Sequence, residues 1–294
     1  MYQKIISGVM SWGVWGKNLS QSEMIKQLQF CLDNDISTFD HADIYGGYTT
    51  EESFGKALNK SDINRTQIQL ISKCGICYPN NDKNQFVSYN KNYKIKHYRY
   101  DKEYIINSVE NSLRNLQTDY LDLLLLHRPS PLMDFDIIKE ALYQLVKDGK
   151  IINHGVSNFT QSQLALANSK FQINANQLEF SLTSHLAMNN GILDFMQQQK
   201  ITAMAWSPLG TYLSESNEQN NRISTIITPL AHKYNVEIDQ LLLAWILKHP
   251  ANIHPVIGTT NPERIKRAIE STKINLEIED WFFLLIASQG HDVP

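Results

Sequence analysis

The chain has 294 residues, with 27 Lys and Arg against 30 Asp and Glu and a formal charge of −3. That near balance leaves no broad basic field for a nucleic-acid partner, and the length suits one domain spanning 1–294, a barrel of about 250 residues with trimmings. No apolar run approaches the roughly 20 residues that cross a bilayer. The N-terminus lacks the charged-then-apolar plan of a leader, and three cysteines make no disulfide framework. The expectation is a cytoplasmic protein with no membrane, nucleic-acid or obligate protein partner.

Apolar runs of strand length alternate with helical periodicity along the whole chain. Residues 5–10 read as a strand, followed by a helix over 21–34 with Ser20 as its cap. A strand over 38–40 and a helix over 50–58 come next, then a strand over 68–73 and a long loop over 74–101. Its basic, Tyr-rich part, 83–102, reads as a solvated loop beside a binding mouth. A helix over 102–115, a strand over 121–127, a helix over 134–148 and a strand over 153–157 follow. Thr160 caps a helix over 160–168. Then come a strand over 175–179, a helix over 190–198, a strand over 202–206 and two helices over 223–234 and 238–248. After a strand over 255–257, Asn261 and the first-turn Pro262 open a helix over 262–271. The stretch 278–288, with Trp281, Phe282 and Phe283, reads as a helix laid on the outer wall. Eight strands alternating with helices predict an α/β fold, a single (β/α)8 TIM barrel with an extra C-terminal helix and long active-site loops.

Three polar groups end successive strands. Asp40 closes the second strand, Lys73 the third and His127 the fourth, while Tyr45 lies in the Gly-rich turn just after Asp40. In a barrel of parallel strands these positions share the face on which active sites are built. The chemistry that wants them is carbonyl reduction, in which an acid must supply a proton to the oxygen that receives negative charge. A tyrosine with a pKa near ~10 needs help, and one cation about 4 Å away is worth roughly three pKa units. Lys73 is therefore expected to draw Tyr45 toward neutrality, with Asp40 fixing the ammonium and His127 orienting the substrate oxygen.

Other motifs are weak. Cys74-Gly75-Ile76-Cys77 spells C-x-x-C, but Pro79-Asn80-Asn81-Asp82 after it reads as loop rather than the helix a redox thiol uses. Gly155-Val156-Ser157-Asn158-Phe159 lacks the closing glycine of a nucleophile elbow. A metal held by Asp40, His41 and His127 would be repelled by Lys73, so no metal is expected. The G-x-G-x-x-G dinucleotide fingerprint is absent. A nicotinamide cofactor would need another cradle, and 255–267 offers one: a helix N-terminus presents N–H groups to an anion, Thr259 and Thr260 add hydroxyls, and Arg264 adds a planar donor.

On these residues the chain resembles the aldo-keto reductase family. Matching stretches occur in family order: Gly8-Val9-Met10-Ser11-Trp12-Gly13, Asp40 to Gly47, Lys73, His127-Arg128-Pro129, Gly155 to Phe159, Asn176-Gln177, Trp206 to Gly210, and Pro255 to Thr260 with Arg264. Gly46-Gly47 after Tyr45, Arg128-Pro129 after His127 and the terminal Asp292-Val293-Pro294 are similar to a bacterial NADPH-dependent oxidoreductase branch. The resemblance implies that Asp40, Tyr45, Lys73 and His127 form a catalytic tetrad acting on a small-molecule aldehyde or ketone. It also implies a cofactor site for NADPH/NADP+. Ser157, Asn158 and Gln177 would hold the carboxamide, Trp206 the ring, and Ser207, Pro208, Leu209 and Gly210 the pyrophosphate. Gly8, Met10, Trp12, Asp40, Ile257, Gly258, Thr259, Thr260 and Arg264 complete that set. Two departures stand out: His41 where many members carry Thr, and Gly258 where many carry Lys. The alternative is a slow nicotinamide-binding sensor on the same scaffold.

Overall fold

The computed structural model of the protein describes residues 2–79 and 93–294. The long loop and the basic, Tyr-rich stretch read from the sequence therefore lie partly outside the described residues. Eight parallel strands close into a barrel. They are β1 (Ile6–Gly8), β2 (Thr38–Asp40), β3 (Gln69–Cys74), β6 (Leu121–Leu126), β7 (Ile151–Ser157), β8 (Ala175–Glu179), β9 (Thr202–Trp206) and β10 (His254–Ile257). The short β4 (Ile76–Cys77) and β5 (His97–Tyr98) lie outside the barrel as an antiparallel ribbon. The sequence reading left that region as loop. Two-residue strands carry no alternation to read, so their pairing comes from tertiary contacts.

Both faces of the barrel wall are buried, which is why β6 is almost wholly leucine. Ile6, Ile71, Leu123, Leu125, Ala175, Met204 and Val256 point inward and form one cluster that fills the barrel. Their wall-side neighbours, such as Phe39, Leu70 and Leu124, pack on the helices in a second, larger cluster. Each fully buried aliphatic side chain contributes roughly 1.5–3 kcal/mol, so these two shells hold the strand ends at fixed positions.

The helices start where their caps place them. Ser20 and Thr160 make reciprocal capping boxes on α1 (Gln21–Asp33) and α5 (Gln161–Asn168), and Asn261 caps α9 (Pro262–Glu270) with Pro262 in its first turn. α2 (Thr50–Lys60), α3 (Lys102–Leu116), α4 (Phe135–Lys147), α6 (Ile192–Gln199) and α8 (Ile238–Leu247) fall near their expected spans. α7 (Glu218–Tyr234) begins five residues earlier than its apolar pattern shows, because Asn217 caps a polar first turn. The C-terminal α10 (Ile278–Gln289) lies on the outer wall as expected. Trp281 stacks on Trp245 at 5.0 Å, and each indole N–H donates to the other residue's backbone carbonyl. Among the described residues no helix is long and apolar enough to cross a membrane.

Candidate active site

Asp40 is the last residue of β2, Lys73 the penultimate residue of β3, and His127 follows β6. The parallel ladders β2–β3 and β3–β6 bring these ends to one face of the barrel. Tyr45 reaches the same spot because the chain turns sharply after β2. The amide of Asp43 donates to the carbonyl of Lys73 at 3.0 Å, and Gly46 and Gly47 take φ of +61° and +66°. A side chain at Gly46 would also strike the hydroxyls of Thr49 and Thr50, so glycine is required there twice over.

The four side chains the sequence nominated meet. The ammonium of Lys73 donates to Asp40 Oδ1 at 2.8 Å and Oδ2 at 2.7 Å, to the His41 carbonyl at 2.8 Å, and lies 3.2 Å from Tyr45 Oη. Lys73 is 1% exposed. Gln177 Nε2 donates to Asp40 Oδ1 at 2.9 Å, so the carboxylate is held from two sides. The His127 ring stands edge-on to the Tyr45 ring at 6.2 Å.

Burial decides the protonation states. It pulls Lys73 down, but Asp40 and Tyr45 together outweigh it and hold the ammonium charged. His127 is driven well below its ordinary value by burial, then by Lys73, Arg128 and Lys96, so its ring is neutral at pH 7. Tyr45 departs from the sequence expectation: its pKa is raised, because burial outweighs the attraction of Lys73. The phenol keeps its proton at neutral pH. Behind the tetrad, burial also raises the pKa of the Asp43 and Glu51 carboxyls.

A cleft of two adjoining chambers leads away from the tetrad. The inner one, about 670 Å³, is lined by Gly8, Met10, Asp40, Tyr45, His127, Ser157, Asn158, Gln177 and Trp206. The outer one, about 820 Å³, is lined by Leu209, Gly210, Ile257, Thr259, Thr260 and Arg264. Ser11, Ser207, Pro208 and Gly258 border both. Asn158 and Ser207 hold φ of +62° and +48°, an uncommon conformation for residues other than glycine that clusters at functional sites. Trp206 is oriented by its Nε1, which donates to Asn158 Oδ1 at 2.8 Å.

Trp12 is the correction among the nominated cofactor contacts. It is fully buried and lines neither chamber, with its ring 6.0 Å from both Phe39 and Phe54. The turn after β1, closed by the Trp12 amide on the Val9 carbonyl, sends the indole between β2 and α2. Other lining residues escaped the sequence reading. Ser11 donates to the Gly258 carbonyl at 2.6 Å, and Lys17 borders the outer chamber together with Arg264. Trp15, Lys96, Tyr98 and Arg128 line the inner one. They sit in loops or, for Tyr98, in the two-residue β5, where no periodicity can be read, although Arg128 adjoins His127 and that adjacency is a usable signal. The C-x-x-C thiols are buried and free. Among the described residues no group of three His, Cys, Asp or Glu side chains could hold a metal ion.

The dinucleotide the sequence called for fits this cleft. One end carries the tetrad, and the other carries an exposed guanidinium, Arg264, with no ion pair among the described residues. At Gly258 an added Cβ would meet nothing within 4 Å, which leaves open backbone between the chambers. Asp239, the acid in the outer chamber, is neutralised by Arg267 at 2.9 Å.

Comparison with known proteins gives consistent results. A model described as the Aldo/keto reductase family matches residues 4–283. The chain is 38% identical to the uncharacterized oxidoreductase YcsN of Bacillus subtilis over 100% of this chain and 96% of that protein. It is 35% identical to a 6-dehydroglucose reductase of Agrobacterium fabrum over 96% and 94% of the two. A crystal structure of an aldo/keto reductase from Klebsiella pneumoniae, in complex with NADP and acetate, superposes with a TM-score of 0.76 at 25% identity. It covers 100% of this chain and 93% of that one.

Proposed function

Because this chain belongs to the aldo/keto reductase family and is thus an NAD(P)H-dependent oxidoreductase, we propose that it reduces aldehyde or ketone carbonyls with NADPH, Tyr45 serving as the acid. The observation that carries this reading is the Lys73 ammonium, which bridges the Asp40 carboxylate and the Tyr45 hydroxyl within a buried pocket. A similar structure solved with NADP and a relative named as a 6-dehydroglucose reductase support it.

Bound NADPH supplies the hydride. Tyr45 holds the proton that the substrate oxygen takes up as its negative charge develops. Burial keeps that proton in place until it is needed, and the ammonium 3.2 Å away stabilises the phenolate left behind by on the order of 5 kcal/mol at an effective dielectric of about 20. Asp40, clamped by Lys73 and Gln177, stops the ammonium from swinging away. Neutral His127 donates an N–H to the same substrate oxygen and orients it. Ser157, Asn158, Gln177 and Trp206 would hold the nicotinamide, and Ser207 to Gly210 the pyrophosphate. Thr259, Thr260 and Arg264 would take the 2′-phosphate, with Lys17 on the same chamber supplying the cation that Gly258 lacks.

Tyr45→Phe tests the reading. Steady-state oxidation of NADPH with a panel of aldehydes, quinones and diketones should fall by roughly 10²- to 10⁴-fold. NADPH affinity should change little, since the phenol acts in the transition state. Undiminished turnover would remove Tyr45 from the mechanism. Tight cofactor binding with no turnover of any carbonyl by the wild type would point instead to the sensor.

A further inference from the structure

The inner chamber carries more positive charge than carbonyl reduction requires. Lys73 and Asp40 cancel each other, and among the described residues no other acid lines the chamber, yet Lys96 and Arg128 both do. Neither forms an ion pair among the described residues, although the chain as a whole is net acidic. Arg128 is half-buried, a costly place to leave a guanidinium without an anionic partner.

Arg128 is also held in place. Its backbone N–H donates to the hydroxyl of Tyr100 at 3.1 Å, and that hydroxyl donates to the Arg128 carbonyl at 2.6 Å. Tyr100 is fixed in turn against Gly75, where an added Cβ would lie 2.2 Å from its ring. The guanidinium carbon stands 5.6 Å from the centre of the Trp206 ring, which leaves the N–H edge of the fork for an acceptor. Lys96, on the rim, extends over Tyr78 with its ammonium 5.0 Å from the ring centre. The field of these two cations reaches the proton-transfer site, where both help keep His127 neutral.

We infer that the inner chamber selects carbonyl substrates that carry a carboxylate, with Arg128 receiving the carboxylate and Lys96 attracting it from the rim. The inference rests on the reductase reading above, since the carbonyl must still reach Tyr45 and His127. The remaining walls, Trp15, Ile44, Ile76 and Tyr98, are apolar or aromatic and suit a short hydrophobic body between the two polar ends.

A matched pair of aldehydes tests it: 4-carboxybenzaldehyde and its methyl ester, which differ by one charge. With NADPH at low salt, kcat/KM for the acid should exceed that for the ester by roughly ten- to a hundredfold, the worth of a charge-assisted contact. Raising the salt should shrink the ratio. Arg128→Met should collapse the ratio through KM for the acid, and Arg128→Lys should restore part of it. Lys96→Met, at an exposed position, should cost about two- to threefold. Equal kcat/KM for acid and ester in the wild type would overturn the inference. So would an Arg128→Met variant that loses NADPH affinity and both substrates in parallel, because Arg128 would then serve the cofactor or the fold. If neither aldehyde turns over, the reductase reading fails on its own, and product binding decides. The NADP+-loaded protein, followed by tryptophan fluorescence, should bind 4-(hydroxymethyl)benzoate at least tenfold tighter than its methyl ester, and Arg128→Met should abolish the difference. Equal binding would overturn the inference independently of turnover.

Discussion

The two ends of the cleft solve opposite problems. Within the tetrad itself the charges are already partnered: Lys73 and Asp40 are buried against each other, Gln177 caps the carboxylate, and burial raises the pKa of the neighbouring Asp43 and Glu51 carboxyls. At the outer end, Arg264 and Lys17 are exposed and Thr259 and Thr260 half-exposed, with no carboxylate partner for either cation among the described residues. The first end is assembled by folding. The second is left to be completed by an anion. On the proposed function the difference teaches where each residue's energy is spent: tetrad residues hold the fold as well as the chemistry, whereas the outer residues serve binding alone.

The largest expected effect tests the first half of that contrast. Lys73→Met leaves the Asp40 carboxylate buried with only Gln177 to satisfy it, and breaking a buried pair this way costs about 3–5 kcal/mol. Guanidinium unfolding should show the loss in the midpoint, and turnover should vanish with it. A variant that is inactive yet as stable as wild type would mean that the pair is not structural, and the contrast would fail. Arg264→Met tests the other half. NADPH should bind roughly ten- to a hundredfold more weakly, the worth of a charge-assisted contact of about 1.5–3 kcal/mol, while NADH binding and the unfolding midpoint stay almost unchanged. With no lysine at 258, we expect the lower part of that range and a further decline at high salt. Fluorescence titration with both cofactors measures it, and equal wild-type affinities for NADPH and NADH would show that this end does not read the phosphate.

Much of this division was legible in the sequence, for reasons that differ between the ends. The barrel wall is buried on both faces, so β6 stands out as a short, almost wholly apolar run, and the polar His127 just beyond its end marks one face of the barrel. What stayed hidden depended on where loops carry side chains. Nothing in Gly8 to Gly13 tells that Trp12 turns into the wall while Met10 turns to the cleft. The ribbon of β4 and β5 joins residues about twenty apart through pairs too short for any period. The protonation of Tyr45 was misjudged because a neighbouring lysine can be read from a motif, whereas the depth of burial opposing it cannot.

The smallest expected effect lies just beneath the tetrad and sharpens the claim that this end is dry. His41 is completely buried, with its ring 4.3 Å from that of Phe54, edge to face, and neither ring nitrogen has a hydrogen-bond partner among the described residues. Burial, and secondarily the Lys73 charge, lower its pKa from 6.5 to about 3. The sign follows from proton counting. Above pH ~6.5 the ring is neutral in both folded and unfolded chains, so it contributes no pH dependence. Below that value the unfolded chain takes up a proton that the folded one refuses, and stability falls with acidification until pH approaches about 3. One such group contributes a slope of up to about 1.4 kcal/mol per pH unit. His127 and His154 are shifted in the same direction, and Asp43 and Glu51 push the other way above about pH 4, so the total slope belongs to no single residue. The difference between wild type and His41→Gln isolates it. Denaturant unfolding at intervals from pH 7 to 4.5 should show a shallower loss of stability in the variant, with the two curves running parallel above pH ~6.5. Parallel curves throughout would mean that water reaches the His41 ring, and that the tetrad rests on a wetter floor than its burial implies.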